Sequence, residues 1–180
     1  MENDYVGKDE KGRVIFEKLC TQQKWCKHIK NSTDKYAVWD NAYLSGNTQM
    51  IGEIKFRNYD SEAFDSWFLE VDKYNSLNQL KNSINSETKI TYINHFKDDQ
   101  TIIWNLTNLD IKDYKITKLW LQKNDFDTTL VEKEVIYLHH NLAIFKTATI
   151  DSILVPLTDE QIEQKDNEQD ATDDFLTSIF

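Results

Sequence analysis

Two neighbouring apolar segments joined by a turn sequence constrain the fold of this chain most strongly. Residues 36–44 read YAVWDNAYL and residues 49–57 read QMIGEIKFR, so both are rich in aromatic and branched side chains. The residues between them, Ser45-Gly46-Asn47-Thr48, are of the types that favour tight turns. The pattern predicts two adjacent antiparallel strands.

Helices are predicted on both sides of this strand pair. Apolar residues recur at approximate helical spacing over residues 10–30, and again at intervals of three and four from residue 61 to about residue 82. The second set comprises Phe64, Trp67, Phe68, Val71, Tyr74, Leu77 and Leu80. We therefore expect one helix before the strand pair and an amphipathic helix after it.

Further strands follow in the second half of the chain. KITYINHF (89–96) and QTIIWNL (100–106) are separated by the turn residues Lys97-Asp98-Asp99, which predicts another strand pair. ITKLWLQK (116–123) and KEVIYLHHNLAIFK (133–146) favour extended structure in part, and Trp104 and Trp120 are assigned to packing. The elements together predict an α/β domain with a central mixed sheet of four to six strands, flanked by helices.

The negative charge is concentrated at the end of the chain. The whole chain has a formal net charge of -10, whereas residues 159–180 alone hold eight acidic side chains against Lys165, a net charge of -7. We predict a domain over residues 1–158, with a net charge of -3, and a flexible acidic tail over residues 159–180. A domain this close to neutral can hold a local basic surface for DNA.

The tail ends in the apolar tip Phe175-Leu176-Thr177-Ser178-Ile179-Phe180. It resembles the acidic tips of single-stranded-DNA-binding proteins, which implies docking of a protein partner through the terminal Phe. A disordered solubilising tail and a short helix packed on the domain are the simpler alternatives. Competition of the tail with DNA for a basic groove is a third.

Compartment is predicted from the cysteines and from the apolar runs. Cys20 and Cys26 are six apart in a predicted helix, which fits neither a CxxC redox motif nor a zinc-ligand pair, so we expect reduced structural thiols. No apolar run is long enough to cross a bilayer. We therefore expect a soluble, cytoplasmic protein without a membrane partner.

One group of charged residues is placed by the strand pair. Alternation puts Glu53 and Lys55 on the same face of their strand, and Asp40 lies in the neighbouring strand. Two converging carboxylates form a hard-oxygen site that suits Mg²⁺, and an adjacent ammonium stabilises charge on a phosphate. The predicted chemistry is metal-assisted hydrolysis of a phosphodiester.

This arrangement resembles the PD-(D/E)XK nuclease superfamily, which has the restriction-endonuclease-like fold. Its signature of an acid followed at variable distance by acid-x-Lys matches Asp40, twelve intervening residues, and Glu53-Ile54-Lys55. The resemblance implies that Asp40, Glu53 and the main-chain carbonyl of Ile54 hold the metal, while Lys55 assists the attacking water. Trp39 stands where the family name has Pro.

The resemblance also suggests accessory residues. Glu17 would supply the acid that members often add from the first helix, and Glu70-Val71-Asp72-Lys73-Tyr74 resembles a Gln-x-x-x-Tyr motif with Glu in place of Gln. Glu70, Lys73 and Tyr74 are therefore candidate accessory residues. Arg57 and Lys73 are candidate contacts to nucleic-acid phosphates.

The tripeptide by itself carries little information, because acid-x-Lys occurs five more times in the chain. Glu53-Ile54-Lys55 differs from the others by lying in an apolar strand, after a strand with an Asp and between two helices. The plainer alternative makes these charges the solvated face of a strand.

The function predicted from the sequence is a Mg²⁺-dependent deoxyribonuclease, an endonuclease-like phosphodiester hydrolase with Mn²⁺ as a substitute ion. One alternative is a nuclease-like fold that holds DNA or assembles without catalysis. The other is an acidic-tailed single-stranded-DNA-binding protein or replication adaptor. A homo-oligomer fits any of these.

Overall fold

The computed structural model describes residues 4–24, 26–34, 37–123 and 127–146. Within them the chain forms two α-helices and nine strands. The helices are α1 (Asp4–Gln23) and α2 (Val71–Ile84). The strands are β1 (Cys26–Asn31), β2 (Asn41–Ser45), β3 (Thr48–Arg57), β4 (Ser66–Glu70), β5 (Lys89–Phe96), β6 (Thr101–Asn105), β7 (Thr117–Gln122), β8 (Leu130–His139) and β9 (Ala143–Lys146).

Six strands form the main sheet in the order β1-β2-β3-β5-β6-β9. The β3–β5 pair is parallel and the other pairs are antiparallel, so the sheet is mixed, as predicted. A second, antiparallel sheet in the order β4-β8-β7 was not predicted. The predicted α/β class, the β2–β3 pair and the β5–β6 pair are confirmed.

The helices cover opposite faces of the main sheet. On one face, Phe16 and Leu19 of α1 are buried with Ile54 of β3 and Ile93 of β5. On the other face, α2 and the second sheet bury a larger cluster against the main sheet. Its members from α2 and the second sheet are Trp67, Leu69, Val71, Tyr74, Leu77, Ile136 and Leu138.

Helix α1 lies very close to β3 at Gly12. A Cβ atom at this position would lie 2.8 Å from Cγ2 of Ile54 and 3.7 Å from Cδ2 of His95. The first distance is shorter than a normal carbon–carbon contact, so a residue without a side chain is required here. This close approach fixes α1 against the strand that carries Glu53 and Lys55.

The predicted first helix is too long at its carboxyl end. The helix stops at Gln23, Lys24 takes a left-handed conformation with φ of 52°, and Cys26–Asn31 form an edge strand beside β2. This reversal brings Cys26 back to α1, where it is disulfide-bonded to Cys20. The prediction of two reduced thiols in one helix was therefore wrong, since the helix ends between the cysteines.

The predicted helix from residue 61 is wrong in its first half. Ser61–Ala63 form a short 3-10 turn, Ser66–Glu70 form β4, and the helix begins at Val71. Trp67 and Leu69 are buried while Ser66, Phe68 and Glu70 are less so, and this alternation is that of a strand. Pairing of β4 with β8 therefore overrides the helix-like spacing of the aromatic residues.

The two tryptophans assigned to packing differ. Trp104 is 1% exposed, and its indole N–H donates to the main-chain oxygen of His139 over 3.0 Å. Trp120 is 68% exposed on β7, so its assignment to packing was wrong. The acidic tail and residues 147–158 lie outside the described residues, as do the predictions made for them. No helix in the described part of the chain is long and apolar enough to cross a membrane.

Candidate active site

The site forms where β2 separates from β3. The last residue pair of their ladder joins Asn41 to Gly52, and just beyond it the Asp40 N–H donates to the Gly52 carbonyl over 2.8 Å. The Asp40 carbonyl accepts a hydrogen bond of 2.9 Å from the Ser32 N–H, just after β1. From Glu53 onwards β3 continues its pairing with β5. Asp40 is thereby held by main-chain bonds at the point of divergence.

The Asp40 side chain takes the place of a strand partner for β3. Its Oδ2 accepts a hydrogen bond of 2.8 Å from the Ile54 N–H. The N–H and C=O of one strand residue point to the same side of the strand, so the Ile54 carbonyl faces this edge too. The structure thus brings Asp40 together with Glu53, Ile54 and Lys55.

Glu53 is buried and is flanked by two lysines. Its side chain is 1% exposed, with the Lys55 ammonium 2.9 Å from Oε1 and the Lys73 ammonium 3.0 Å from Oε2. These are ion-pair distances, but neither oxygen accepts a hydrogen bond of good geometry within the described chain. Lys55 comes from the same strand face and Lys73 from α2, so the amphipathic helix contributes directly to the site.

The two carboxyl groups have opposite pKa shifts. Burial alone raises the pKa of Glu53, but the charges of Lys55 and Lys73 outweigh it and lower the pKa to about 2. Burial, and then the negative charge of Glu53, raise the pKa of Asp40 to about 7 against the opposing effects of Lys55 and the Ile54 N–H. The negative charge of Glu53 thus disfavours the ionised form of Asp40.

Arg13 is a site residue that was not predicted from the sequence. Its Nη2 lies 3.2 Å from Oδ1 of Asp40, and its Nη1 donates to the Ser32 carbonyl over 2.7 Å. Glu17 was proposed from the same helix, and a residue four positions earlier lies on the same helical face. That spacing was the signal available for Arg13.

The predicted accessory residues lie around the site with partners of their own. Glu17 Oε1 accepts a hydrogen bond from Asn31. Glu70 precedes α2 and pairs with Lys133 over 2.9 Å, and the Tyr74 hydroxyl donates to the Leu109 carbonyl. Among these candidates, Lys73 is the one that the structure places on a site carboxylate.

Arg57, predicted as a phosphate contact, links β3 to two other strands. Its Nε donates to Asn94 Oδ1 over 2.8 Å, and its Nη2 donates to the Tyr92 hydroxyl and the Phe68 carbonyl. Its guanidinium also lies 4.6 Å from the centre of the Phe68 ring. These contacts tie the main sheet to the second sheet.

Oxygen atoms are the candidate metal ligands at this site. No group of three or more His, Cys, Asp and Glu side chains that suits a metal occurs among the described residues. The site does offer the carboxyl groups of Asp40 and Glu53 and the Ile54 carbonyl. Mg²⁺ commonly takes only one or two protein carboxylates and fills its other positions with water or phosphate, so these residues fit a small hard cation.

No family model matches the chain, and no curated protein matches it. Among solved structures, the chain is similar to Hjc, a Holliday junction resolvase from the archaeal hyperthermophile Archaeoglobus fulgidus. The two chains are 10% identical, the match covers 82% of this chain and 99% of the resolvase, and the TM-score is 0.46.

Proposed function

We propose that this protein is a Mg²⁺-dependent nuclease that hydrolyses phosphodiester bonds in DNA, with Mn²⁺ as a substitute ion. The observation that carries the proposal is the placement of two carboxyl groups at the break between β2 and β3, with Asp40 bonded to the Ile54 N–H next to Glu53. Glu53 is in turn paired with Lys55 and Lys73. Asp40, Glu53 and the Ile54 carbonyl would hold the ion. DNA is the substrate class implied by the resemblance of Asp40 and Glu53-Ile54-Lys55 to the PD-(D/E)XK signature.

When bound, the metal would polarise the scissile phosphate and lower the pKa of a water molecule. The protein residues supply orientation and charge. Lys55 is paired with Glu53 but keeps a third of its side chain exposed, so its ammonium can reach a phosphate oxygen or a water beside it. Lys73 holds the other Glu53 oxygen, so Glu53 stays paired when Lys55 turns towards substrate.

Arg13 has a separate role in this proposal. Its guanidinium bridges Asp40 and the Ser32 carbonyl, so it fixes the Asp40 carboxyl relative to α1 and the end of β1. A planar guanidinium holds two partners in a defined direction, which an ammonium does not. Arg13 is therefore a positioning residue.

The direct test incubates the full chain with labelled duplex, single-stranded and branched DNA and with RNA, in Mg²⁺, Mn²⁺ or EDTA. We expect cleavage of DNA in either metal and none in EDTA. Lys55→Ala should retain metal binding and lose cleavage, whereas Asp40→Ala should lose both. Cleavage that persists in EDTA, or that is undiminished in Lys55→Ala, would rule out the assigned mechanism.

One observation favours a second candidate, a nuclease-like module that binds phosphates without catalysis. Three cationic side chains, Arg13, Lys55 and Lys73, surround two carboxyl groups, so the site is already cationic without a metal. Metal titration separates the two candidates. A nuclease is stabilised by Mg²⁺ through preferential binding to its folded state, and Asp40→Ala abolishes the effect, whereas a phosphate-binding module has the same melting temperature with and without Mg²⁺.

A further inference from the structure

Positive charge is concentrated in one short part of the chain. Residues 11–30 hold Lys11, Arg13, Lys18, Lys24, Lys27 and Lys30 against Glu17 alone, a net charge of +5. The whole chain carries -10, so the other 160 residues together carry -15. This segment, which forms most of α1 and nearly all of β1, is opposite in net charge to the rest of the sequence.

Three of these lysines lie on or next to an edge strand. Lys24, Lys27 and Lys30 are exposed, and β1 is the first strand of the main sheet. We call these three residues the β1 lysines. They are spaced three residues apart, and a bulge between Lys27 and Lys30 interrupts the regular alternation of β1.

Register places two of the β1 lysines, Lys27 and Lys30, relative to the site. Lys27 lies opposite Leu44, and Lys30 lies opposite Ala42, which belongs to the core cluster on the α2 side of the sheet. Directly paired residues of antiparallel strands share a face. Ala42 in turn pairs with Ile51, two residues before Glu53. Lys27 and Lys30 therefore lie on the face of the main sheet that carries Glu53 and Lys55.

β1 ends next to the candidate active site. β1 ends at Asn31, and the next residue, Ser32, donates its N–H to Asp40 and accepts a hydrogen bond from Arg13. The path from Lys27 to Ser32 is five residues, or roughly 17 Å at the rise of a strand. DNA has one phosphate per strand about every 3.4 Å of helix axis, so this path matches about five nucleotides.

We propose that the β1 lysines bind the sugar–phosphate backbone of duplex DNA and lead it to Asp40 and Glu53. The inference rests on the proposed nuclease function and adds the surface that receives the substrate. Its basis is charge complementarity between a polyanion and a basic edge in an otherwise acidic protein. Lysines on an edge strand also serve to block pairing with other strands, which is the competing role for these three residues.

The test measures DNA binding without catalysis. The affinity of the full chain for a fluorescent 20-base-pair duplex is determined by anisotropy in EDTA at several salt concentrations. The triple variant Lys24→Gln, Lys27→Gln, Lys30→Gln is compared with a control of equal charge change, Lys97→Gln, Lys112→Gln, Lys115→Gln, whose residues are also exposed. Thermal unfolding of both variants establishes that they are folded.

We expect the β1 variant to bind more weakly and the slope of log affinity against log salt to fall by about 2.7, which is three phosphate contacts at about 0.9 each. The control should keep the slope of the unsubstituted protein. Equal losses in both variants, or an unchanged slope in the β1 variant, would overturn the proposal. Self-association of the β1 variant with an unchanged slope would assign the lysines to edge protection instead.

A second variant distinguishes failure of the proposed nuclease function from failure of the proposed DNA-binding surface. Asp40→Asn should lose metal-dependent cleavage while keeping the salt slope in EDTA, because the β1 lysines are intact. If the unsubstituted protein binds DNA through the β1 lysines but cleaves none, the proposed nuclease function is wrong and the proposed DNA-binding surface is retained.

Discussion

The two halves of β3 have different neighbours and different chemistry. Thr48–Gly52 pair with β2 on one side, and Met50–Gly52 also pair with β5 on the other. From Glu53 to Arg57 the strand pairs with β5, while the Asp40 carboxylate occupies part of the side that β2 has left. Ionisable residues occur in the second half alone. The end of the β2–β3 pairing thus leaves the Ile54 N–H to the Asp40 carboxyl group, beside the ionisable residues of β3.

Removing the charge of Glu53 should have the largest effect. Glu53→Gln keeps the side-chain shape but removes the charge of a proposed metal ligand that is also paired with Lys55 and Lys73. We expect metal-dependent DNA cleavage to fall by more than about a hundredfold, beyond the loss typical of residues that only support a ligand. Single-turnover cleavage in Mg²⁺ measures this, and Glu87→Gln at an exposed position serves as the control. Equal activities of the two variants would place the chemistry elsewhere.

The buried histidine beside the second half of β3 should give a pH-dependent stability. Burial lowers the pKa of His95 to about 3, and its Nδ1 lies 2.7 Å from the Thr101 hydroxyl oxygen. Below about pH 6.5 the His95 side chain binds a proton in the unfolded state, whereas in the folded state it stays neutral down to about pH 3. The free energy of unfolding should therefore fall by up to roughly 1.4 kcal/mol per pH unit between about pH 6 and pH 3.

Urea denaturation across this pH range measures the effect of His95. His95→Gln removes the titrating group, so its unfolding free energy should depend less steeply on pH than that of the unsubstituted protein. His139→Gln at an exposed position is the control. Identical slopes for the unsubstituted protein and His95→Gln would show that His95 takes up its proton without unfolding.

The junction between the two halves should be sensitive to one methyl group. A Cβ atom at Gly52 would lie 2.1 Å from Oδ1 of Asn41 and 3.0 Å from the Thr91 hydroxyl oxygen. We expect Gly52→Ala to lower the free energy of unfolding by about 1–3 kcal/mol, as overpacking in a core does. Adding Asn41→Ala removes the main obstacle, so the double variant should be more stable than the sum of the single changes implies.

A matched control for Gly52→Ala is Gly46→Asn. Gly46 has a φ of 60°, a Cβ atom added there would meet nothing within 4 Å, and Asn tolerates this conformation well. Equal losses of stability in Gly46→Asn and Gly52→Ala would show that the contact with Asn41 is not the cause.

The smallest effect is expected for an ion pair outside β3. Lys133 and Glu70 are 2.9 Å apart, the same distance as Lys55 and Glu53, but both side chains are partly exposed. Lys133→Met should change the free energy of unfolding by less than about 1 kcal/mol, because water screens the pair. Thermal and urea unfolding measure the change. A loss as large as that in Gly52→Ala would mean that this pair supports the second sheet.

Local patterns sufficed to predict part of the fold and part of the candidate site. Alternation and turn residues predicted β2 and β3, and with them the adjacency of Asp40 to Glu53-Ile54-Lys55, because hairpin pairing is decided by residues close in sequence. The spacing of the aromatic residues around Trp67 wrongly predicted a helix. The segment is a strand because β4 pairs with β8, whose residues lie about 70 positions away in sequence. Spacing within one segment contains no information about such a partner.

The contacts of the cationic side chains at the site could not be predicted from local sequence patterns either. Lys73 was a candidate phosphate contact, yet its ion pair with Glu53 depends on where α2 docks on the sheet. Arg13 reaches Asp40 because α1 lies close to β3 at Gly12. Neither contact follows from helical periodicity, which gives the buried face of a helix but not its neighbours.

The parallel pairing of β3 with β5 affects the order in which the molecule folds. The β2–β3 hairpin has low contact order and can form early, whereas the β3–β5 pair must first close a loop that contains β4 and α2. Lys73 belongs to that loop, so Glu53 stays hydrated until the loop docks. Lys55 of the same strand can pair with Glu53 before the loop docks, and docking then buries Glu53 and adds the Lys73 countercharge in one step.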